Sequence, residues 1–322
     1  MAELRIGTSG WNYPSGRGRW NGVFYPPSRG RAKHFDELSY YAEHFNTVEV
    51  NSTFYGQPRP DVTRAWAERT PPGFEFSIKL YQKFTHPKMY KQQFTKTSAG
   101  RGATADDTLL DALTTPNPVD LDEFRRGIDP LASAGKLGPL LAQFPPSFKS
   151  DEASLDYLQW LLRSLDDYVV AVELRHRSWS DALEQTLQVL NTHGAALVQI
   201  DEPKFRLSIA QNQLPNIPTF YYMRLHGRNA AQWWSHDNAE DRYNYLYSAE
   251  ELQEFVDTID AARSIVKKAY LYTNNHFSAK SVANAAMIKK QLGEPLEGEY
   301  SAEFLATYPE LAGAAKPVHK LV

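Results

Sequence analysis

The sequence predicts one α/β domain over residues 1–322, a (β/α)8 TIM-type barrel with an insertion between its third and fourth strands. Three observations predict it. Eight short apolar runs follow one another along the chain, and amphipathic stretches with helix caps separate most of them. The runs are apolar throughout rather than alternating, as strands covered on both faces by crossover helices are. The length of 322 residues suits a barrel of roughly 250 residues with additions. An open doubly wound sheet ranks second, because it usually carries a GxGxxG turn after its first strand. Gly7-Thr8-Ser9-Gly10-Trp11 lacks that pattern.

Residues 4–10 form the first strand. In 36–45, Leu38, Tyr41, Ala42 and Phe45 share one helical face. Residues 47–53 and 74–80 are the second and third strands, with a short helix over 61–69 between them. The stretch 94–119 is rich in Thr, Ser, Gly, Ala and Asp, and its apolar patch is Leu109, Leu110 and Leu113. It reads as a mobile inserted excursion. Asp120 with Glu123 reads as a capping box for the next helix. The fourth strand, 137–144, stops at Pro145-Pro146. A helix capped by Ser150, a strand over 169–175, a helix opening at Ser180 and a strand over 195–201 follow. Residues 202–218 show no clean helix. The seventh strand is 219–227. Ser248 and Glu251 make a capping box, 269–275 is the eighth strand, and Ser278 starts the last long helix.

Composition narrows the function classes. Hydrophobic residues make up 42%, enough for a full core, and the formal charge of −3 excludes a globally basic nucleic-acid coat. There is no cysteine, which excludes disulfide scaffolds, thiolate metal sites, iron–sulfur clusters and cysteine nucleophiles. No apolar run reaches the roughly 20 residues of a membrane span, and the first residues lack a signal peptide's apolar region. A cytoplasmic protein is the expectation.

Chemistry in a barrel of this type sits at the C-terminal strand ends, and polar residues gather there. Glu49, Asn51 and Thr53 alternate on the second strand; Lys79 ends the third and Gln143 the fourth. Glu173 and Arg175 mark the fifth, Asp201 the sixth, Arg224 and His226 the seventh, Asn274-Asn275-His276 the eighth. The plainer reading pairs them inside the barrel, Glu49 with Lys79 and Glu173 with an arginine, since buried charges are paired. Asn274-Asn275 also suits simple turn chemistry. The functional reading rests on concentration: charged groups recur on five strand ends. We expect Glu49, Asn51, Lys79, Glu173, Arg175, Asp201, Arg224, His226 and Asn275 in one cleft. Parity leaves Asn274 as the alternative to Asn275.

The aromatic fraction of 13% is high, and Trp11, Tyr13, Trp20, Phe24, Tyr25, Phe54, Tyr55, Phe144, Phe148 and Trp179 all follow strands. Trp11, Tyr55 and Trp179 are candidate cleft walls for stacking a sugar or base; the plainer reading is a second small core above the barrel. No HExxH, HxH or CxxC motif occurs. Glu173, Asp201 and His226 could form an oxygen/nitrogen metal site, but Arg175 and Arg224 share those strands and faces. Guanidinium groups favour an anion over a cation, so no metal and no cofactor is expected.

Several motifs resemble one family. They are Gly7-Thr8-Ser9-Gly10-Trp11, Trp20-Asn21-Gly22-Val23-Phe24-Tyr25-Pro26 and Val48-Glu49-Val50-Asn51-Ser52-Thr53-Phe54-Tyr55. Phe76-Ser77-Ile78-Lys79 with Thr85-His86, and the run Leu137 to Pro146, join them. So do Glu173-Leu174-Arg175 with Ser178-Trp179, Met223-Arg224-Leu225-His226-Gly227, and Asn274-Asn275. In this order, across nearly the whole chain, they resemble the YecE-like family, domain of unknown function 72. The resemblance implies a TIM-type barrel and no particular activity. The 94–119 insertion is longer than the family pattern.

Three readings of function follow. The first is an enzyme of hydrolase or isomerase type acting on a small anionic, phosphorylated or sugar-like substrate. Glu49 and Glu173 would be acid/base groups, His226 a proton shuttle, and Arg175, Arg224 and Lys79 the anion holders. The second is a nucleic-acid enzyme resembling abasic-site endonucleases, using Arg17, Arg19, Lys83 and Arg228. The acidic net charge and the lack of a clear metal ligand set disfavour it. The third is a non-catalytic metabolite-binding barrel. Fold alone does not choose among them.

Overall fold

The computed structural model describes residues 2–27, 35–99, 107–211, 214–235, 237–238 and 240–317. The strands of its two larger sheets are β1 (Glu3–Thr8), β2 (Thr47–Val50), β3 (Glu75–Lys79), β4 (Leu137–Gln143), β5 (Val170–Glu173), β6 (Ala196–Leu197), β7 (Gln199–Asp201), β8 (Phe220–Leu225) and β9 (Lys268–Thr273). Every pairing among them is parallel. They form a five-stranded sheet, β2-β3-β4-β5-β6, and a four-stranded sheet, β1-β9-β8-β7. Buried Leu, Ile, Val, Phe and Tyr fill the core.

The expected closed ladder is therefore interrupted at two seams, and each has a local cause. The predicted sixth strand divides at Val198. Its first half pairs with β5 and its second with β8, and the Val198 amide still donates to Val172. At the other seam the Tyr41 hydroxyl sits between β1 and β2. It accepts from the Thr8 amide at 2.9 Å and donates to the Thr47 carbonyl at 3.1 Å, standing in for ladder bonds. Gly7 lets the two backbones come together; a Cβ there would lie 2.2 Å from the Thr47 carbonyl oxygen. The two strands touch again at a parallel bridge between Ser9 and Glu49.

The helices lie near their predicted places, with shifted boundaries. Ser248 and Glu251 form the expected capping box for Ala249–Ala262. Helix Pro118–Ser133 starts earlier than read: Pro118 takes the first turn, and the box is Asn117 with Asp120 rather than Asp120 with Glu123. Asp151, not Ser150, caps Glu152–Ser164. Ser180 lies in the short turn Ser178–Asp181, and the longer helix is Leu183–Thr192. Ser278 does not open the last long helix, which runs Lys280–Gln291. Ser278 and Ala279 are left-handed, with φ of 52° and 60°.

The predicted excursion over 94–119 contains regular structure. Helix Pro87–Ala99 runs through Phe94, and helix Asp107–Thr114 follows. Residues 100–106 of that segment lie outside the described residues. Leu110 is buried and Leu113 is exposed. A further helix, Ala302–Thr307, brings Phe304 against Phe24.

Candidate functional site

A cavity of about 440 Å³ opens at the C-terminal strand ends. Asn51 follows β2, Lys79 ends β3, Gln143 ends β4, Arg175 follows β5, Arg224 sits on β8 and Asn274 follows β9; all six line it. His86, His276, Tyr13, Phe54 and Tyr55 add to the wall, as do Trp233, Trp234, Arg242 and Tyr243 from the segment after β8.

Arg224 is the hub beneath the cavity, 1% exposed. It grips Glu49 with two bonds, Nε to Oε2 at 2.9 Å and Nη2 to Oε1 at 2.7 Å. Its Nη1 donates to Glu173 Oε2 and, at 3.1 Å, to Gln143 Oε1. Glu49 also accepts from Ser9 Oγ at 2.7 Å and Tyr222 OH at 2.8 Å. Glu173 accepts from Arg175 Nε at 2.7 Å, and Arg175 approaches Glu202 at 3.4 Å. Burial alone would raise both carboxyls. Arg224 reverses that, holding Glu49 below and Glu173 well below the ordinary glutamate value. Burial likewise raises Glu202, against the pull of Arg175.

His226 lies behind this pair. Its Nε2 is 3.4 Å from both Arg175 Nη2 and Arg224 Nη1, and its Nδ1 is 2.9 Å from Asn274 Nδ2. Burial, then the Arg224 charge, lowers it to about 4, so the ring is neutral at physiological pH. Burial also lowers His276 to about 4, and burial followed by the Lys79 charge lowers His86 to about 3.

The predicted site residues divide into three groups. Asn51, Lys79, Arg175, Arg224 and Tyr55 line the cavity. Glu49, Glu173 and His226 are brought against Arg224 but are buried behind the wall. The other four stand apart. Asp201 is bound by Arg228, at 2.8 and 3.0 Å, and by Tyr247 OH at 2.7 Å. Asn275 is turned to the Tyr245 carbonyl and Asn284; Asn274 holds the inward position. Trp11 packs edge-on against Trp66 and Phe76. Trp179 stacks on Phe148, which stacks on Phe144; Trp179 and Phe144 belong to the one main core and Phe148 packs against it, so the expected separate small core is not formed. Thr53 also departs from expectation. β2 ends at Val50, and Thr53 lies in the helical turn Ser52–Tyr55, where its hydroxyl donates to the Lys79 carbonyl at 2.7 Å. The anticipated Glu49–Lys79 pair is replaced by Glu49–Arg224.

Sequence similarity now places the chain. The family model described as "Protein of unknown function DUF72" matches residues 5–306. The chain belongs to the DUF72 family. Among curated relatives, the UPF0759 protein YunF of Bacillus subtilis is 27% identical over 92% of this chain and 96% of its own length. The UPF0759 protein YecE of Escherichia coli is 29% identical over 51% of this chain and 52% of its own. A crystal structure of a DUF72 protein from Thermotoga maritima superposes with a TM-score of 0.71 at 32% identity, covering 91% of this chain and all of that one. One from Enterococcus faecalis gives a TM-score of 0.72 at 23% identity, over 92% and 98%. This DUF72 chain is thus an α/β protein with parallel sheets, like its solved relatives. Among its described residues no helix is long and apolar enough to cross a membrane.

Sequence reasoning missed the 228–247 contribution to this DUF72 cavity. The signal was Trp233-Trp234, two adjacent tryptophans in a polar stretch with no strand or helix period. Residues proposed for nucleic-acid contact are largely engaged. Lys83 is buried and bridged to Asp120, Arg228 binds Asp201 and Glu254, and Arg17 faces Asp241.

Proposed function

We propose that this DUF72 protein is a TIM-type barrel that binds a small anionic ligand, phosphorylated or sugar-like, in the cavity above Arg224. One observation carries the reading: the described cavity wall holds three guanidinium groups, Arg175, Arg224 and Arg242, and the Lys79 amine, and no carboxylate lines it. Asn51 Oδ1 adds a buried acceptor without a partner among the described residues, suited to a ligand hydroxyl. Tyr55, Tyr243 and Trp234 supply flat apolar surface for a sugar ring. The barrel reading is supported by the Ser9–Glu49 bridge and by the continuous run from β6 through Val198 to β7.

Catalysis of hydrolase or isomerase type belongs to this proposal with altered roles. Glu49 and Glu173 are ionised and closed on Arg224, so they fix that arginine's position and charge. The groups that face a ligand and carry a free lone pair are His86, His276 and Lys79. A metal is left out of the reading because Glu49, Glu173 and His226 meet around the Arg224 guanidinium, and among the described residues no three of His, Asp and Glu are grouped so as to hold a metal ion. A nucleic-acid ligand is the weaker reading, since Lys83 and Arg228 are occupied by carboxylates.

Calorimetric titration with inorganic phosphate and with a sugar phosphate tests the proposal. Lys79→Met and Arg175→Ala should each weaken binding by about 1–3 kcal/mol, the scale of a charged hydrogen bond. Affinity unchanged in both variants would overturn it. So would stoichiometric zinc or manganese that is lost in Glu173→Ala.

A further inference from the structure

Lys79 differs from the other cations of the cavity. Its Nζ donates to Gln143 Oε1 at 3.0 Å and lies 4.3 Å from the centre of the Phe54 ring. Among the described residues no carboxylate stands within ion-pair distance of it; Glu49 and Glu173 are closed on arginines instead. Gln143 Oε1 is itself shared with Arg224 Nη1 at 3.1 Å. The lysine therefore ends a strand, faces the cavity, and has one neutral acceptor and a positive neighbour. Burial, then the Arg224 charge, brings its amine from the ordinary lysine value to about 7. The Phe54 face supports the ammonium form in part, and it also shields the neutral amine from bulk water. A large fraction of the protein thus presents a nucleophilic lone pair at neutral pH.

We propose that Lys79 captures a carbonyl group, forming an imine with an aldehyde or ketone that also carries a carboxylate or phosphate. The inference rests on the anion-binding reading of this cavity, with Arg175 receiving the anionic end. The Nζ lone pair attacks the carbonyl carbon, and the carbonyl π pair moves to oxygen, which takes up a proton. The nitrogen loses a proton; His86, neutral and fixed by Thr85 Oγ1 at 2.9 Å from its Nδ1, is an acceptor on the same wall. The carbinolamine hydroxyl takes up the proton held by His86 and leaves as water while the nitrogen lone pair forms the C=N bond; the protonated imine then returns its N–H proton to solvent, balancing the one the oxygen first took up. One C=O is exchanged for one C=N and one water, with no change of oxidation state.

The test is reductive trapping on the full chain with glyoxylate and sodium cyanoborohydride near neutral pH. The hydride reduces the imine to a stable carboxymethyl amine, which peptide mass spectrometry locates. Lys79 should be labelled at least about tenfold faster than the exposed Lys88 and Lys316, as its lowered proton affinity requires. Inorganic phosphate should slow it, and Lys79→Arg should lose the fast phase. Labelling of Lys79 no faster than that of the exposed lysines, with phosphate still binding by calorimetry, would overturn the imine and leave the anion site standing. Fast labelling that phosphate neither slows nor binds against would retain the reactive amine and overturn the anion reading.

Discussion

The two ends of the parallel sheets hold the same chemistry in different settings. At the N-terminal end, Glu75 forms an ion pair with Arg5 at 3.0 Å and accepts from Lys268 at 2.6 Å and Tyr270 OH at 2.6 Å. At the C-terminal end, Glu49 accepts twice from Arg224, from Tyr222 OH at 2.8 Å and from Ser9. A carboxylate, an arginine and a tyrosine recur at both. The second cluster meets the cavity at Arg224, where Lys79 has a single neutral acceptor; at the N-terminal end the buried Lys136 also lacks a carboxylate, but the Ala67 and Thr70 carbonyls and the Thr70 hydroxyl satisfy it. A buried ion pair is thus a poor marker of a site by itself. The marker is the group left over when the pairs have closed.

Removing the arginine from each cluster should separate them most strongly. Arg224→Met leaves Glu49 and Glu173 buried without their common partner, and unfolding in urea should show a loss of about 3–5 kcal/mol. Arg5→Met leaves Glu75 with Lys268 and Tyr270 and should cost only about 1–2 kcal/mol. Equal losses would mean that the two clusters are energetically alike.

Acid should act on the C-terminal end first. His226 and His276 titrate near 4 when folded, below the ordinary histidine value of 6.5. The unfolded chain therefore takes up these protons first, and stability is complete above about 6.5 and declines as pH falls towards 4. Glu49 and Glu173, held below their ordinary value, extend the decline at lower pH. His226→Gln should flatten the upper part of this slope, whereas Arg5→Met should shift the whole curve without changing its shape.

Lys79 should act with the same sign in a higher window. Its folded value of about 7 lies below the ordinary lysine value of 10.5, so the unfolded chain binds the proton more tightly between these limits. Wild-type stability relative to Lys79→Met should rise as pH climbs through that window. A flat difference would show that the amine is not shifted.

The smallest effect concerns the left-handed pair beside the cavity. An L-residue in this conformation is strained by roughly 1–2 kcal/mol, partly offset in a glycine variant by the entropy of its unfolded chain. Ala279→Gly should stabilise the protein by less than about 1 kcal/mol, measured by thermal unfolding. Destabilisation would show that the Ala279 methyl packing matters more than its φ.

The parallel strands were legible because burial on both faces writes them as plain apolar runs, as in Leu140-Leu141-Ala142 and Val170-Ala171-Val172. The gathering of Asn51, Lys79, Arg175 and Arg224 was legible because strand direction alone puts residue ends at one rim. Which carboxylate closes on which arginine was not. Glu49 and Arg224 are distant in sequence and meet only across the interior, so Lys79 appeared to be the nearer partner. The seam at β1–β2 was equally hidden, since nothing local marks the Tyr41 hydroxyl as a bridge between backbones. The walls from 228–247 were missed because irregular backbone has no period to read.

The strand register also sets an order of events during synthesis. Glu3 on β1 finds its ladder partner at Lys268 on β9, whereas β2 through β6 pair only with near neighbours in the chain. A chain emerging from the ribosome can close the five-stranded sheet while β1 still waits, its edge groups unmatched. β1 is placed only once β9 has emerged, and in the finished fold the Tyr41 hydroxyl still holds the Thr8 amide on the side facing β2.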